Sequence, residues 1–339
     1  MREKQVAAKK GELVQPSKML FGAYAREVID GMRVGPSTRA SYLKNLRLHL
    51  EPYPIAQVPL SQLTGAGLTT HYRTLERSGR KDHKAGTGLS GSTCRYFHQM
   101  LHKVLDQAVR DNLLPRNPAN TATPPTAKEA RPPEMRPWSA SQLGAFLDWS
   151  AENSELHAAW HVLAHTGMRR GELLGLKWSD VNLDAATISV QRSAGLVRNA
   201  GEGAEILVTP PKTEKSRRVI DIDPATVAVL KSWKAGRGSL ALRLARPEAK
   251  VFGTEEDQHR HPERFSRLWN QTVARAIRNQ VDVPMIRMLS RSGARFRCCH
   301  RPVSPDRSPN PPCQSPGNGL STVPAVTRDP QVARGLGSC

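Results

Sequence analysis

The string Thr166-Gly167-Met168-Arg169-Arg170-Gly171-Glu172-Leu173-Leu174-Gly175-Leu176-Lys177-Trp178-Ser179-Asp180 is where this sequence concentrates residues able to do chemistry. Gly167 tolerates the left-handed conformation in which helices end, and the spacing predicts a new helix through Arg169 to Leu176 with Leu173, Leu174 and Leu176 facing inward. An arginine at such a junction is held near a helix N-terminus, and its planar fork matches two oxygens of a phosphodiester. That arrangement stabilises the charge that accumulates as phosphorus becomes five-coordinate. From the bare pattern an ordinary surface ion pair between Arg169 and Glu172 accounts for the same residues equally well.

The remaining composition narrows the partner more than the reaction. Fifty Lys and Arg against thirty Asp and Glu leave a net charge of +20, which signals attraction to a polyanion such as nucleic acid. Residues 1–130 hold 20 basic and 10 acidic side chains, residues 131–284 hold 22 and 18, and residues 285–339 hold 8 and 2, so the front half is the expected docking surface. Of the five cysteines, Cys94 stands alone and Cys298, Cys299, Cys313 and Cys339 form no C-x-x-C pair. They read as free thiols in a reducing compartment, with no metal site and no disulfide framework. No run approaches the ~20 apolar residues of a membrane span, and Met1 to Gly11 is charged with no apolar run behind it. A cytoplasmic protein with no membrane contact is expected.

The elements that must position these groups fall into two domains, as 339 residues suggest. Residues 1–17 read as a loose basic arm. From Leu20 the period is helical, through Phe21, Tyr24, Ala25 and Val28, and Pro36-Ser37-Thr38 starts a second helix carrying Tyr42, Leu43, Leu46 and Leu50. A short piece at Leu60–Leu75 opens at Ser61 or Thr64. A longer helix from about Gly91 carries one stripe: Tyr96, Met100, Leu101, Val104, Leu105, Ala108 and Val109. Residues 18–118 are thus a helical domain. Residues 119–138, with Pro124-Pro125 and Pro132-Pro133 and few large apolar side chains, are a linker. Ser139 and Gln142 form a capping-box start, and another helix runs from about Glu155 towards His165. Ala186–Arg192, Ile206–Thr209 and Arg217–Asp223 read as strands of one small antiparallel sheet, followed by helices at Pro224–Lys234 and Pro262–Gln280. The fold class is mainly α with a small antiparallel sheet. The six tryptophans are assigned to the core, and Cys94 to a small helix position.

With these residues in view, the sequence resembles the tyrosine recombinases, particularly the phage-type integrases of high-GC bacteria. Thr166–Asp180 is similar to their first catalytic-arginine box and its Trp178-x-Asp180-Val181 lead. Pro211-Lys212-Thr213-Glu214-Lys215-Ser216-Arg217-Arg218-Val219-Ile220 resembles the hairpin bearing their catalytic lysine, and Ser37-Thr38-Arg39-Ala40-Ser41-Tyr42 with Asn117-Pro118 looks like their helical core-binding domain. The resemblance spans about residues 20–285. It implies two domains clamped around duplex DNA attachment sites, as subunits that form a tetramer in the family, and a tyrosine that attacks the scissile phosphate without metal, nucleotide or other cofactor. Arg169 would bind nonbridging oxygens, Lys212 would protonate the leaving 5′-oxygen with Lys215 as its rival, and Glu172 would brace the arginine. DNA contacts are expected from Thr38, Arg39, Lys44, Arg47 and Arg95, the loop Arg80-Lys81-Asp82-His83-Lys84 could reach the backbone, and the arm either follows a groove or is disordered, disorder being the safer reading.

The sequence also departs from the family. The His-x-x-Arg box and the tyrosine nucleophile are expected after the helix ending near Gln280, yet the tyrosines are Tyr24, Tyr42, Tyr53, Tyr72 and Tyr96, and residues 97–339 contain none. His261-Pro262-Glu263-Arg264 has the spacing but reads as the first turn of a helix. Likeness persists through Val283–Met288, after which residues 289–339 are rich in Arg, Pro, Ser, Gly and Cys and lack periodicity. Such a composition predicts disorder. It is also what a GC-rich coding region gives out of frame, and one codon choice for Ser290–Gly293 spells His-Asp-Leu in the next frame. The expectation is an incomplete catalytic domain, residues 139–288, with apolar faces near Leu163, Leu173 and Ile277 partly bare. The chain then reads as a site-specific integrase unable to cleave by itself. The alternative is a noncatalytic DNA-binding protein that occupies attachment sites or interferes with a full-length partner. A helix-turn-helix regulator explains the basic front domain but not the arginine box, and no carboxylate cluster supports a metal nuclease.

Overall fold

A computed structural model describes residues 18–81, 87–132, 134, 137–198, 203–211 and 217–285. The basic arm, Lys212, Lys215, most of the 80–84 loop and the tail 289–339 lie outside the described residues, and with them the disorder expected of the tail.

Four helices build the front lobe: α1 (Phe21–Gly31), α2 (Pro36–His49), α3 (Gly65–Ser78) and α4 (Gly91–Arg110). Their starts follow from side chains that satisfy amides left over at a helix N-terminus. Thr64, not Ser61, caps α3 by accepting from the Gly67 amide, and Ser90 caps α4 by accepting from Thr93. The α4 stripe keeps the centre its spacing predicts and is narrower at both margins, with Phe97 added. Phe97, Met100, Leu101, Val104, Leu105 and Ala108 are buried, while Tyr96 and Val109 pack at its margin. Together with Phe21, Leu46, Leu68 and Tyr72 they form one core in which Cys94 is also buried.

The proline-rich stretch starts in contact with this lobe. Asn117 accepts from the Ala119 amide and donates to the Asp106 carboxylate at 2.6 Å, and Thr123 donates its amide to Thr69 Oγ1 at 2.9 Å. Polar anchors of this kind leave no trace in hydrophobic periodicity.

The second lobe opens at Ser139 with the expected capping box on α5 (Ala140–Asn153), followed by α6 (His157–Thr166), which ends at Gly167 with φ 61°. Then come the short α7 (Arg170–Leu174), β1 (Val181–Asn182), β2 (Thr187–Val190), β3 (Ser193–Arg198), β4 (Ala204–Thr209), β5 (Arg218–Asp221), α8 (Pro224–Leu240) and α9 (Pro262–Arg278). Among the described residues there are two antiparallel sheets where one was expected: β1-β2-β5 and β3-β4. The span 186–192 read as one strand divides because Ala186 is left-handed (φ 51°) and the chain leaves the first sheet after Val190 to pair Ser193 with Thr209. β1 escaped the reading because it is two residues long. Asn182 turns it back, its side-chain oxygen accepting from the Asp184 and Ala185 amides.

Trp138, Trp160, Trp178 and Trp269 are buried in the second core, with Trp149 and Trp233 packed on its edge. Leu163 and Leu173 are buried as well, contrary to the expectation that their faces would be partly bare. α6 and α7 pack against α8, α9 and β3, so the described elements already cover them. Ile277 is exposed, as expected.

Candidate functional site

Glu172 sits at the third position of α7 and is only 5% exposed. Its carboxylate accepts from the Arg169 amide at 2.9 Å and from Arg169 Nη1 at 2.8 Å. Arg218 of β5 grips the same group, with Nη1 3.2 Å from Oε1 and Nη2 2.8 Å from Oε2. Burial pushes the Glu172 carboxyl up, but the hydrogen bonds from Arg218 and Arg169 outweigh it and hold the group below its ordinary value. A buried carboxylate with two arginines is not a surface ion pair. Arg169 is 59% exposed and Arg218 32% exposed, so Arg169 is the outer and Arg218 the inner partner.

Local sequence explains why Arg169 faces outward at this point. Gly167 ends α6 in a conformation that costs other residues 1–2 kcal/mol by order of magnitude. Met168 is buried and pins the turn, and α7 begins one residue after Arg169. Arg170 points the other way, donating to Ser266 Oγ of α9 at 2.6 Å. An ion pair between Arg198 and Glu263 ties β3 to α9 as well. Behind the box, His259 Nδ1 lies 2.8 Å from the Leu174 carbonyl.

Of the residues singled out from sequence, the structure brings Arg169 and Glu172 together, and Lys212 is outside the described residues. Arg218 was missed. Its signal was available, because alternation in Arg218-Val219-Ile220-Asp221 puts an arginine on the same, less exposed side of β5 as Ile220, while Val219 and Asp221 are exposed. His261 caps α9, its ring nitrogen 3.4 Å from the Arg264 amide, which is the helix-start role expected of it.

The DNA-contact candidates divide into two kinds. Thr38, Arg39, Lys44 and Arg47 lie on α2, where Arg39, Lys44 and Arg47 are exposed and Thr38 is half-buried. Arg39 Nη2 donates to the Met32 carbonyl at 2.9 Å. Arg95 of α4 is half-buried and donates Nη1 to the Pro125 carbonyl at 2.7 Å, so it fastens the chain leaving the front lobe. Among the described residues no three His, Cys, Asp or Glu side chains converge as metal ligands, and no helix is long and apolar enough to cross a membrane.

Comparison with known proteins bears on this arrangement. Residues 135–292 match the phage integrase family. The ICEBs1 integrase of Bacillus subtilis (strain 168) is 28% identical over 163 residues, which are 47% of this chain and 42% of that protein. A tyrosine recombinase XerC-like protein of Caldanaerobacter subterraneus is 24% identical over 59% of this chain and 50% of its own length. The chain thus spans about half the length, or less, of these two relatives. It spans 76% of the integrase of Mycobacterium phage FRAT1, at 23% identity over 84% of this chain. Among solved structures, the Tn1549 transposon integrase in complex with a circular intermediate DNA superposes with a TM-score of 0.63 at 18% identity, covering 79% of this chain and 81% of that one. At that identity the likeness speaks for the fold. The Arg169–Glu172 box lies inside the matched region, and through residues 135–292, somewhat under half of the chain, the sequence matches the phage integrase family, as its similarity to these integrases also has it.

Proposed function

We propose that this chain is a site-specific DNA integrase by descent that binds duplex DNA at attachment sites, with Arg169 taking the nonbridging oxygens of a backbone phosphate. The observation that carries the reading is the state of Arg169: an exposed guanidinium, oriented at its base by a buried carboxylate. Its planar fork matches two phosphate oxygens, and the backbone from which it extends is fixed by the hydrogen bond from its amide to Glu172. Glu172 braces it, and Lys212, six residues before β5 in the sequence, is assigned to protonate the leaving 5′-oxygen. Lys44, Arg47, Arg39 and Thr38 on α2 are assigned to backbone phosphates, which fix register without reading sequence. The net charge of +20 supports the same partner.

The finer part of the proposal is that the chain does not cleave DNA by itself. Strand transfer of this type forms a bond between a tyrosine oxygen and phosphorus as the bond to the 5′-oxygen breaks, and no tyrosine follows Tyr96 in these 339 residues. The five tyrosines fall in the front lobe, where Tyr24 donates to Asp111 and Tyr72 is fully buried. A nucleophile supplied by another integrase subunit is the remaining route. The test is to incubate the full chain with short duplexes and run native and denaturing gels side by side. Retarded duplex on the native gel with no adduct on the denaturing gel is expected. An adduct formed by this chain alone overturns the noncatalytic part, and absence of duplex binding overturns the whole reading.

A further inference from the structure

The arginine box is joined to the sheet by a residue that the catalytic reading does not use. Arg218 reaches Glu172 from β5, with its two terminal nitrogens on the two carboxylate oxygens at 3.2 and 2.8 Å. Its strand is fixed by pairing with β2, where Arg218 stands opposite Val190 and Ile220 opposite Ile188. Val190 and Ile188 are both buried, so the inner face of this sheet belongs to the core and cannot slide without exposing them. Arg169 is held differently: it lies next in the chain to α7, is not itself part of a strand, and is more than half exposed.

These differences set the order in which the two arginines can leave Glu172. A phosphate that recruits Arg169 takes one of the two cations away from a carboxylate that is 5% exposed. Left alone at that depth, the carboxylate would be an uncompensated buried charge, and the loss would oppose phosphate binding. The bidentate grip of Arg218 removes the conflict, because Glu172 keeps a charged partner while it continues to hold the Arg169 amide.

We propose that Arg218 is a positioning residue for the Arg169 site: from β5 it holds the Glu172 carboxylate in place, so that the Arg169 side chain can turn from Glu172 to a phosphate while its backbone stays fixed. The proposal rests on the phosphate-binding reading of Arg169. It adds a link between the two parts of the machinery, since β5 starts six residues after Lys212, and the same grip anchors the strand into which that lysine leads. The direction of the Glu172 shift, downward despite burial and with the Arg218 hydrogen bond ahead of those from Arg169 among the opposing causes, agrees with Arg218 as the main partner.

The experiment uses the full chain with glutamate side chains 13C-labelled, and reads the titration of Glu172, assigned by its loss in Glu172→Gln. Arg169→Gln is expected to leave the midpoint near that of the unaltered chain, and Arg218→Gln to raise it by about one pH unit or more. Arg218→Lys, which keeps the charge and loses the fork, is expected between the two and carries the test if Arg218→Gln does not fold. A midpoint that moves no further in the Arg218 variants than in Arg169→Gln overturns the proposal. A second reading uses a short duplex. Arg169→Gln is expected to weaken binding about tenfold, Arg218→Gln to weaken it less, and the double variant to be no weaker than Arg169→Gln, because a residue that acts through Arg169 has nothing to add once Arg169 is gone. Additive losses in the double variant overturn it. The titration is made without DNA, so a chain that fails to bind duplex sinks the functional reading while the Glu172 midpoints still decide the role of Arg218.

Discussion

Gly171 approaches Ser193 so closely that a methyl group on its α-carbon would lie 2.5 Å from Ser193 Oγ and 2.9 Å from the Ala194 carbonyl oxygen. The glycine between Arg170 and Glu172 is therefore what lets α7 lie against β3, with Gly175 one turn later less tight, a methyl group there lying 3.2 Å from Arg192 and 3.3 Å from the Ala194 amide. The arginine box is pressed onto a strand, and its two glycines are the contact.

Replacing Gly171 by alanine is expected to destabilise the second lobe by about 1–3 kcal/mol, the range of overpacking in a filled interior. Because α7 carries Glu172, the same change should weaken duplex binding. Urea unfolding of Gly171→Ala beside Gly144→Ala checks this, since nothing lies within 4 Å of a methyl group at Gly144. Equal midpoints for the two variants would show that α7 does not need the close approach.

How much of this was legible beforehand depends on the kind of force involved. Helix starts at Ser139 and Ser90, the α6 stop at Gly167 and the tryptophan core follow from local chemistry, which one sequence window contains. The pairing of Arg169 with Glu172 is three residues long and was visible, but its depth was not. Glu172 is buried because Gly171 and β3 close over the helix, and Arg218 meets it from 46 residues away. Alternation puts Arg218 on the inner side of β5 but does not say which residue it meets there. The division of the sheet was hidden for the same reason: Val190 and Ser193 are close in sequence but pair with β5 and β4 respectively.

On α2, Lys44 and Arg47 are exposed, whereas Arg95 is engaged with Pro125. Lys44→Ala and Arg47→Ala should each lower duplex affinity and reduce the slope of log K against log salt by about 0.9. Arg95→Ala should act mainly on the fold, lowering stability by about 1 kcal/mol through the lost hydrogen bond. Binding titrations at several salt concentrations, paired with thermal unfolding, separate these effects. An Arg95 variant that changes the salt slope and leaves stability intact would reassign Arg95 to the DNA surface.

Buried histidines set an acid limit, His161 and His49 foremost. Burial, helped by His165 and His157 against Asp223, takes His161 down to about 4, and its ring lies 3.1 Å from Thr226 Oγ1. Burial, with Lys44, Lys81 and His71, takes His49 down to about 4. Both titrate near 6.5 when unfolded, so protons prefer the unfolded chain between these values. Stability is full above about 6.5 and is lost as pH falls towards 4. The melting temperature is expected to drop on the order of 5–10 °C from pH 7 to pH 5, and His161→Gln should flatten the curve. Glu172 acts in a lower window, because its carboxyl is held below its ordinary 4.5 and its contribution is lost only beneath that. A melting temperature constant from pH 7 to pH 5 would remove both histidines from this role.

The change of character after Met288 yields a prediction about the coding DNA. The family match runs to residue 292, and from Leu289 the sequence turns to arginine without lysine, to proline and to cysteine. A single-nucleotide shift in a GC-rich gene produces such a break, since GC-rich codons read in another frame favour Arg, Pro, Gly, Ser and Cys. Sequencing codons 280 to 339 and the DNA downstream, then translating all frames, is expected to restore a His-x-x-Arg box soon after Met288 and a tyrosine further on. A chain rebuilt in that frame should form a covalent adduct with duplex DNA that disappears on Arg169→Gln, because the restored tyrosine still needs the phosphate held. If no frame restores the box, the shift is excluded. The noncatalytic DNA-binding reading then becomes the stronger one, because Arg169 and the basic face of α2 would serve binding alone.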